Sequence, residues 1–174
     1  MQRAAITLGR GKYEAHGNVA ELGSDIVTSI AELLSEHAGV EAWWSGGIFI
    51  GNHRTNETWT AQQVIGIDVD HHDALGQHAH LSPEASQLLR EQLPRAPSTW
   101  HHPTPRGARL IFVLDEPVID ERLFPAAWQW CRAQALRWLP ILEVGTFRID
   151  PSCKDLARFF WAPLATVGGI ARGC

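Results

Sequence analysis

The chain has 174 residues, 45% hydrophobic and 20% charged, with a formal net charge of -4, which suits one globular domain able to bury a core. It contains no run of about 18 uninterrupted apolar residues, and MQRAAITLGRGKYEAHG has no apolar stretch behind its first basic residues, so neither a membrane span nor a secretion signal is expected and a cytoplasmic setting is. Cys131, Cys153 and Cys174 show no CxxC spacing, which argues against a disulfide framework and a four-cysteine zinc site.

Net negative charge speaks against a grip on phosphate backbones, but its distribution is uneven. Residues 1 to 90 carry 5 basic and 11 acidic side chains, net -6, whereas residues 91 to 174 carry 10 and 8, net +2. The basic side chains of the second half are nearly all Arg, which suits bidentate phosphate contact and equally a solvated surface.

In chain order, Asn18 to His37 spaces Val19, Leu22, Ile26, Ile30, Leu33 and Leu34 as an amphipathic helix. Ala42 to Ile50 and Gln63 to Asp70 read as strands separated by the polar segment GNHRTNET. Ser82 to Leu93 reads as a helix with Ser82 as N-cap, Pro83 at its first position and Leu88, Leu89 and Leu93 as its stripe. Ser98 to His102 and Ala108 to Leu114 form a hairpin candidate through PTPRG; Asp120 to Leu139 is a helix whose Pro125 sets the start near Phe124. Within it, Trp128 and Trp138 are expected to be buried. Glu143 to Asp150 reads as a strand, and Asp155 to Trp161 as a last helical turn. The order predicts an α+β fold, with helices packed on a largely antiparallel sheet. A single domain over 1–174 is expected, its core about 42–165 and residues 1–41 an N-terminal extension.

The sharpest chemical signal is VIGIDVDHHD. Alternation sends Ile65, Ile67 and Val69 to one strand face and Gly66, Asp68 and Asp70 to the other, with the carboxylates about 7 Å apart along the strand. Divalent cations commonly compensate such a pair; acids facing water at a strand end are the bland alternative. In PTPRGARLIFVL, Gly107 would let backbone amides approach an anion and Arg109 would follow on the strand, or the segment is an ordinary hairpin turn. In FRIDPSCKDLARFFWAP, Arg148 and Asp150 share a face and Lys154 and Arg158 follow, as a site or as a salt-bridge cluster.

Taken in order, these motifs resemble the archaeo-eukaryotic primase superfamily, particularly primase-polymerase domains of plasmid, phage and mobile-element replication proteins, over roughly Gly46 to Pro163. The resemblance implies an RRM-like antiparallel sheet, with Asp68 and Asp70 as the first motif's metal ligands and Ile149 and Asp150 as the third motif. The phosphate-binding middle motif, often SGxGxH, maps onto Thr104 to Arg109, with Pro105 in place of the first glycine and Arg109 in place of the histidine. GNHRTNE resembles the family's basic lead-in, which makes Arg54 a candidate nucleotide or template contact. The implied activity is DNA-templated nucleotidyl transfer with two Mg²⁺ or Mn²⁺ ions on Asp68, Asp70 and Asp150. Nucleotide contacts are expected from Gly107, Arg109, Arg158, His102, Arg54 and Lys154. The implied partners are single-stranded DNA template, NTP or dNTP and a separate helicase.

Six of the nine histidines fall between positions 71 and 102. Adjacent histidines on extended backbone point to opposite faces, so convergence on zinc is not expected, and His78 and His80 read as part of a surface loop. An HUH endonuclease, with His78 and His80 on its metal and Tyr13 as nucleophile, is a rival, as is a primase-like domain that binds nucleotide or nucleic acid without turnover.

Overall fold

The apolar stretch around VIGIDV lies in the longest strand among the described residues. Among the described residues the strands are β1 (Ala4–Arg10), β2 (Glu14–Leu22), β3 (Ala42–Ser45), β4 (Gly47–Phe49), β5 (Trp59–His71), β6 (Trp100–Thr104), β7 (Gly107–Val118), β8 (Phe147–Ile149), β9 (Phe160–Trp161), β10 (Ala165–Val167) and β11 (Ile170–Arg172), and the helices α1 (Pro83–Gln92) and α2 (Phe124–Trp138). This computed structural model describes residues 4–10, 14–22, 42–51, 54–93, 100–139, 142, 146–161, 165–167 and 170–172.

One sheet runs β4-β5-β7-β6, with β8 on the same side of β5 as β4 but at its other end. A second runs β2-β1-β3-β9, and β10 pairs with β11. Every described pairing is antiparallel, so the α+β class expected from the element order is what the described residues form. Val64, Ile65, Ile67 and Val69 are fully buried, as a strand covered on both faces requires. Phe160 of β9 covers the Gly66 face: a Cβ on Gly66 would stand 2.4 Å from the Phe160 ring, so any larger residue there would require the ring to shift. The Ile65, Ile67 and Val69 face is left for the helices, whose buried residues, Leu89 of α1 and Phe124, Trp128, Cys131 and Ala135 of α2, belong to the same core.

Several expectations are corrected. Asn18 to Leu22 is strand, because it pairs along β1; the rest of the expected helix, 23–37, lies outside the described residues. β1 in turn pairs with β3, and Ile6 joins the core. The run Ala42 to Ile50 is divided between two sheets, β3 in one and β4 in the other. Ser82 does cap α1, accepting from the Ala85 amide at 3.1 Å, but Leu88 is exposed and the inward stripe is Ala85, Leu89 and Leu93, spaced by four. Pro125 does fall in the first turn of α2 and Trp128 is buried, whereas Trp138 is exposed and Leu139 takes the buried place. The last helical turn comes earlier than expected, at Pro151–Lys154, because Asp150 caps it and Pro151 favours its first position; Phe160 and Trp161 are strand. Glu143 to Gly145 lie outside the described residues, and the strand there is Phe147–Ile149.

Candidate functional site

Register turns the spacing of the motifs into proximity. On β7, Arg109 stands across from Asp68 and Gly107 across from Asp70. On the other side β8 sets Arg148 across from Asp70, and Asp150, one residue beyond β8, donates its amide to the Asp68 carbonyl at 2.9 Å. Two neighbouring chain segments thus bring Asp68, Asp70 and Asp150 to one end of the sheet.

The acids are interleaved with guanidiniums. Asp68 is 8% exposed, and a buried carboxylate needs charged, hydrogen-bonding partners. Arg109 supplies them: Nε donates to Oδ1 at 2.7 Å and Nη2 to Oδ2 at 3.3 Å. Arg158 Nη2 donates to Asp150 Oδ2 at 3.0 Å and lies 3.5 Å from Asp68 Oδ2. Both arginines lie over the Phe160 ring, at 4.5 and 5.7 Å, and the Arg158 carbonyl accepts from Ser45 Oγ at 2.7 Å.

Asp150 also caps the 151–154 turn, accepting from the Ser152 amide at 2.8 Å and hydroxyl at 2.6 Å. Burial works against its ionisation, but the Ser152 bonds, Arg158 and His78 together hold its carboxyl below the usual range. Asp70 is opposite in kind: burial first, then the Asp68 charge, push its carboxyl above the usual range, with His78 opposing. Among the described residues its ion-pair neighbour is His78, whose Nδ1 is 3.7 Å from Oδ2.

No family model, curated protein or solved structure matches this chain. What the site can do therefore rests on its own geometry.

The remaining expected contacts are dispersed. Gly107 meets β5 so closely that a Cβ would stand 1.8 Å from the Val69 carbonyl oxygen; strand contact accounts for glycine there without an anion. His102 pairs with Arg109 in register. Arg54 lies over the rings of Trp43 at 5.1 Å and Phe159 at 4.4 Å, and burial lowers its pKa, with Asp155 opposing. Lys154 is exposed at the end of its turn. Tyr13, needed by the endonuclease reading, lies outside the described residues.

Sequence alone assigns Cys153 no role, and assigns His78 a metal-binding one only in the endonuclease rival. Cys153 is buried, accepts from the Asp68 amide at 3.4 Å, and has a donor atom within 4.8 Å of those of Asp68 and Asp150. Burial, then the Asp68 charge, push its thiol up to about 12, so in the metal-free chain it is neutral. Its signal was the spacing in DPSCK, one tight turn after Asp150. His78 is exposed in a loop, as the sequence suggests, and is set beside Asp70 by the fold.

Among the described residues the group whose donor atoms lie close enough to share an ion is Asp68, Asp150 and Cys153, without the expected Asp70; its two carboxylates suit a hard divalent cation and its thiol does not. Asp68 and Asp150 already accept hydrogen bonds, but a carboxylate offers about four lone-pair sites, so their oxygens are not exhausted. Among the described residues Asp70 is the acid of the three with no guanidinium within 4.0 Å, although the Arg106 charge still acts on it and opposes the rise of its pKa. No described helix is long and apolar enough to cross a membrane.

Proposed function

We propose that this chain is a metal-dependent, DNA-templated nucleotidyltransferase of the primase-polymerase kind, with the β4-β5-β7-β6 sheet as its RRM-like core. The observation that carries the reading is that Asp68 and Asp150 offer donor atoms within 4.8 Å of one another, with Cys153 beside them, and that the β5 register sets Asp70 at the same end of the sheet. Asp68, Asp70 and Asp150 would hold Mg²⁺ or Mn²⁺. Bound there, the cations would supply positive charge against a nucleoside triphosphate and against the 3′-oxygen as it loses its proton and pyrophosphate departs.

Arg158, 31% exposed on its side chain, can turn from Asp150 to a triphosphate. Arg109 is bound to Asp68 through two contacts and is nearly buried, which makes it a positioning residue for that carboxylate. Lys154 is exposed and free to meet phosphate or template.

The test is incubation with single-stranded DNA, labelled nucleotides and Mn²⁺ at low salt, with and without an annealed primer. Template-dependent product is expected, and it should be lost in Asp70→Asn and Asp150→Asn. Product at wild-type level in either variant refutes the assignment. The close Arg109–Asp68 pair favours a second reading, in which an arginine has taken the place of a cation and the domain binds nucleotide without turnover. Nucleotide binding with no product under either condition would select it.

A further inference from the structure

We infer that His78 is a cation ligand, forming with Asp70 a mixed nitrogen–oxygen position suited to a first-row transition ion such as Mn²⁺ rather than to Mg²⁺. The inference rests on the reading of Asp70 as a metal-holding carboxylate, and it adds a residue that the DxD spacing does not reveal.

The chain folds back after β5 to deliver this imidazole. His72 and His78 form an antiparallel bridge, and the Ala79 amide donates to the His71 carbonyl at 3.0 Å. Asp73 Oδ1 accepts from the amides of Leu75 and Gln77, each at 2.9 Å, and Gly76 adopts the left-handed conformation, φ 76°, that the reversal needs. The His72 and His78 rings lie 4.5 Å apart, centroid to centroid, which limits the freedom of a residue that is otherwise half exposed.

The separation itself is informative. At 3.7 Å, His78 Nδ1 and Asp70 Oδ2 are too far apart for a hydrogen bond. Two donors at about 2.0–2.2 Å from one ion stand roughly 3.3–3.7 Å apart at a tetrahedral angle and about 3 Å apart at the right angle of a six-coordinate ion. The pair matches the first spacing as it stands and needs to close only slightly for Mn²⁺. The ion's other positions would fall to substrate phosphate and water. Affinity for a site containing nitrogen rises through the first-row ions from Mn²⁺ upward, whereas Mg²⁺ takes oxygen donors and keeps its waters, so one imidazole biases the position toward the former, least strongly for Mn²⁺.

The experiment titrates the full chain with MnCl₂ and separately with MgCl₂, without nucleotide, following Mn²⁺ by its electron paramagnetic resonance signal and both ions by calorimetry, for wild type, His78→Ala, His78→Gln and Asp70→Asn. Both His78 variants should bind Mn²⁺ about tenfold or more weakly with little change for Mg²⁺, and Asp70→Asn should weaken both ions. Were His78 only an ion-pair partner of Asp70, its removal would free the carboxylate, so unchanged or tighter Mn²⁺ binding in the His78 variants overturns the inference. Loss of Mn²⁺ binding in these variants from a wild type that incorporates no nucleotide would uphold the ligand and sink the transferase. Incorporation that needs Asp70, with Mn²⁺ affinity indifferent to His78, would do the reverse.

Discussion

Replacing Arg109 by Met keeps side-chain bulk but removes both donors from Asp68. That carboxylate, 12% exposed on its side chain, would lose contacts at 2.7 and 3.3 Å and keep only Arg158 at 3.5 Å among its charged partners within 4.0 Å. Breaking a buried pair from one side costs about 3–5 kcal/mol, and the surviving Arg158 sets the expectation near the lower end, about 3 kcal/mol. At roughly 2–4 °C per kcal/mol for a chain of this size, Tm should fall by about 6–12 °C. Replacing both partners, Arg109→Met with Asp68→Leu, strands no charge, since Arg158 still has Asp150 at 3.0 Å; that variant should lie within about 1 kcal/mol of wild type. The double-mutant cycle should therefore show coupling of about 2 kcal/mol or more, read from urea unfolding by tryptophan fluorescence at unchanged m-value. Additive single effects, or an Arg109→Met loss under about 1 kcal/mol, would refute the claim that the pair is held as a buried unit.

Asp70→Asn should raise stability at neutral pH, because the carboxyl is pushed above its ordinary value and its ionisation disfavours the folded state; the gain should shrink as pH falls toward 3.8. Thermal melts of the two proteins across that range check this, and a gain that does not change with pH contradicts it. Gly66→Ala puts a Cβ 2.4 Å from the Phe160 ring and should cost about 1–3 kcal/mol by overpacking; equilibrium denaturation at wild-type midpoint would show that the ring yields freely. Ser82→Ala removes the cap on α1 and should cost about 1 kcal/mol, with a smaller loss if water replaces the hydroxyl at the Ala85 amide.

What was legible in the sequence is what short-range rules govern. The strand alternation in VIGIDVD, the Ser82 cap with Pro83, the hairpin through Pro105 and Arg106 and the start of α2 at Phe124 each depend on residues a few positions apart. What was not legible depends on partners far along the chain. Asn18 to Leu22 has helical spacing but is strand because β1 lies beside it. Gly66 reads as a gap in an apolar run until Phe160, 94 positions later, is seen to fill it. The acids were found because their types and spacing mark them, but the Arg109–Asp68 contact follows from β5–β7 register, which no local pattern in either strand fixes. His78 does lie exposed in a loop, as its sequence suggests, but its approach to Asp70 needs the reversal at Gly76 and the bridge to His72 together.

That register alters what a loss of activity would mean. Asp68→Ala leaves Arg109 buried and without its carboxylate, so the variant removes a metal-binding candidate and loosens the strands that present the others. Inactivity in it would be expected whether Asp68 holds a cation or only anchors an arginine. Asp70 separates the two, because its ionised carboxyl disfavours the fold while Asp68's is held by two contacts. An Asp70→Asn protein that melts higher than wild type at neutral pH and yet incorporates no nucleotide cannot owe its inactivity to a damaged scaffold. The negative charge at Asp70, unfavourable for folding and placed beside Asp68, Asp150 and His78, would then have cation binding as its explanation.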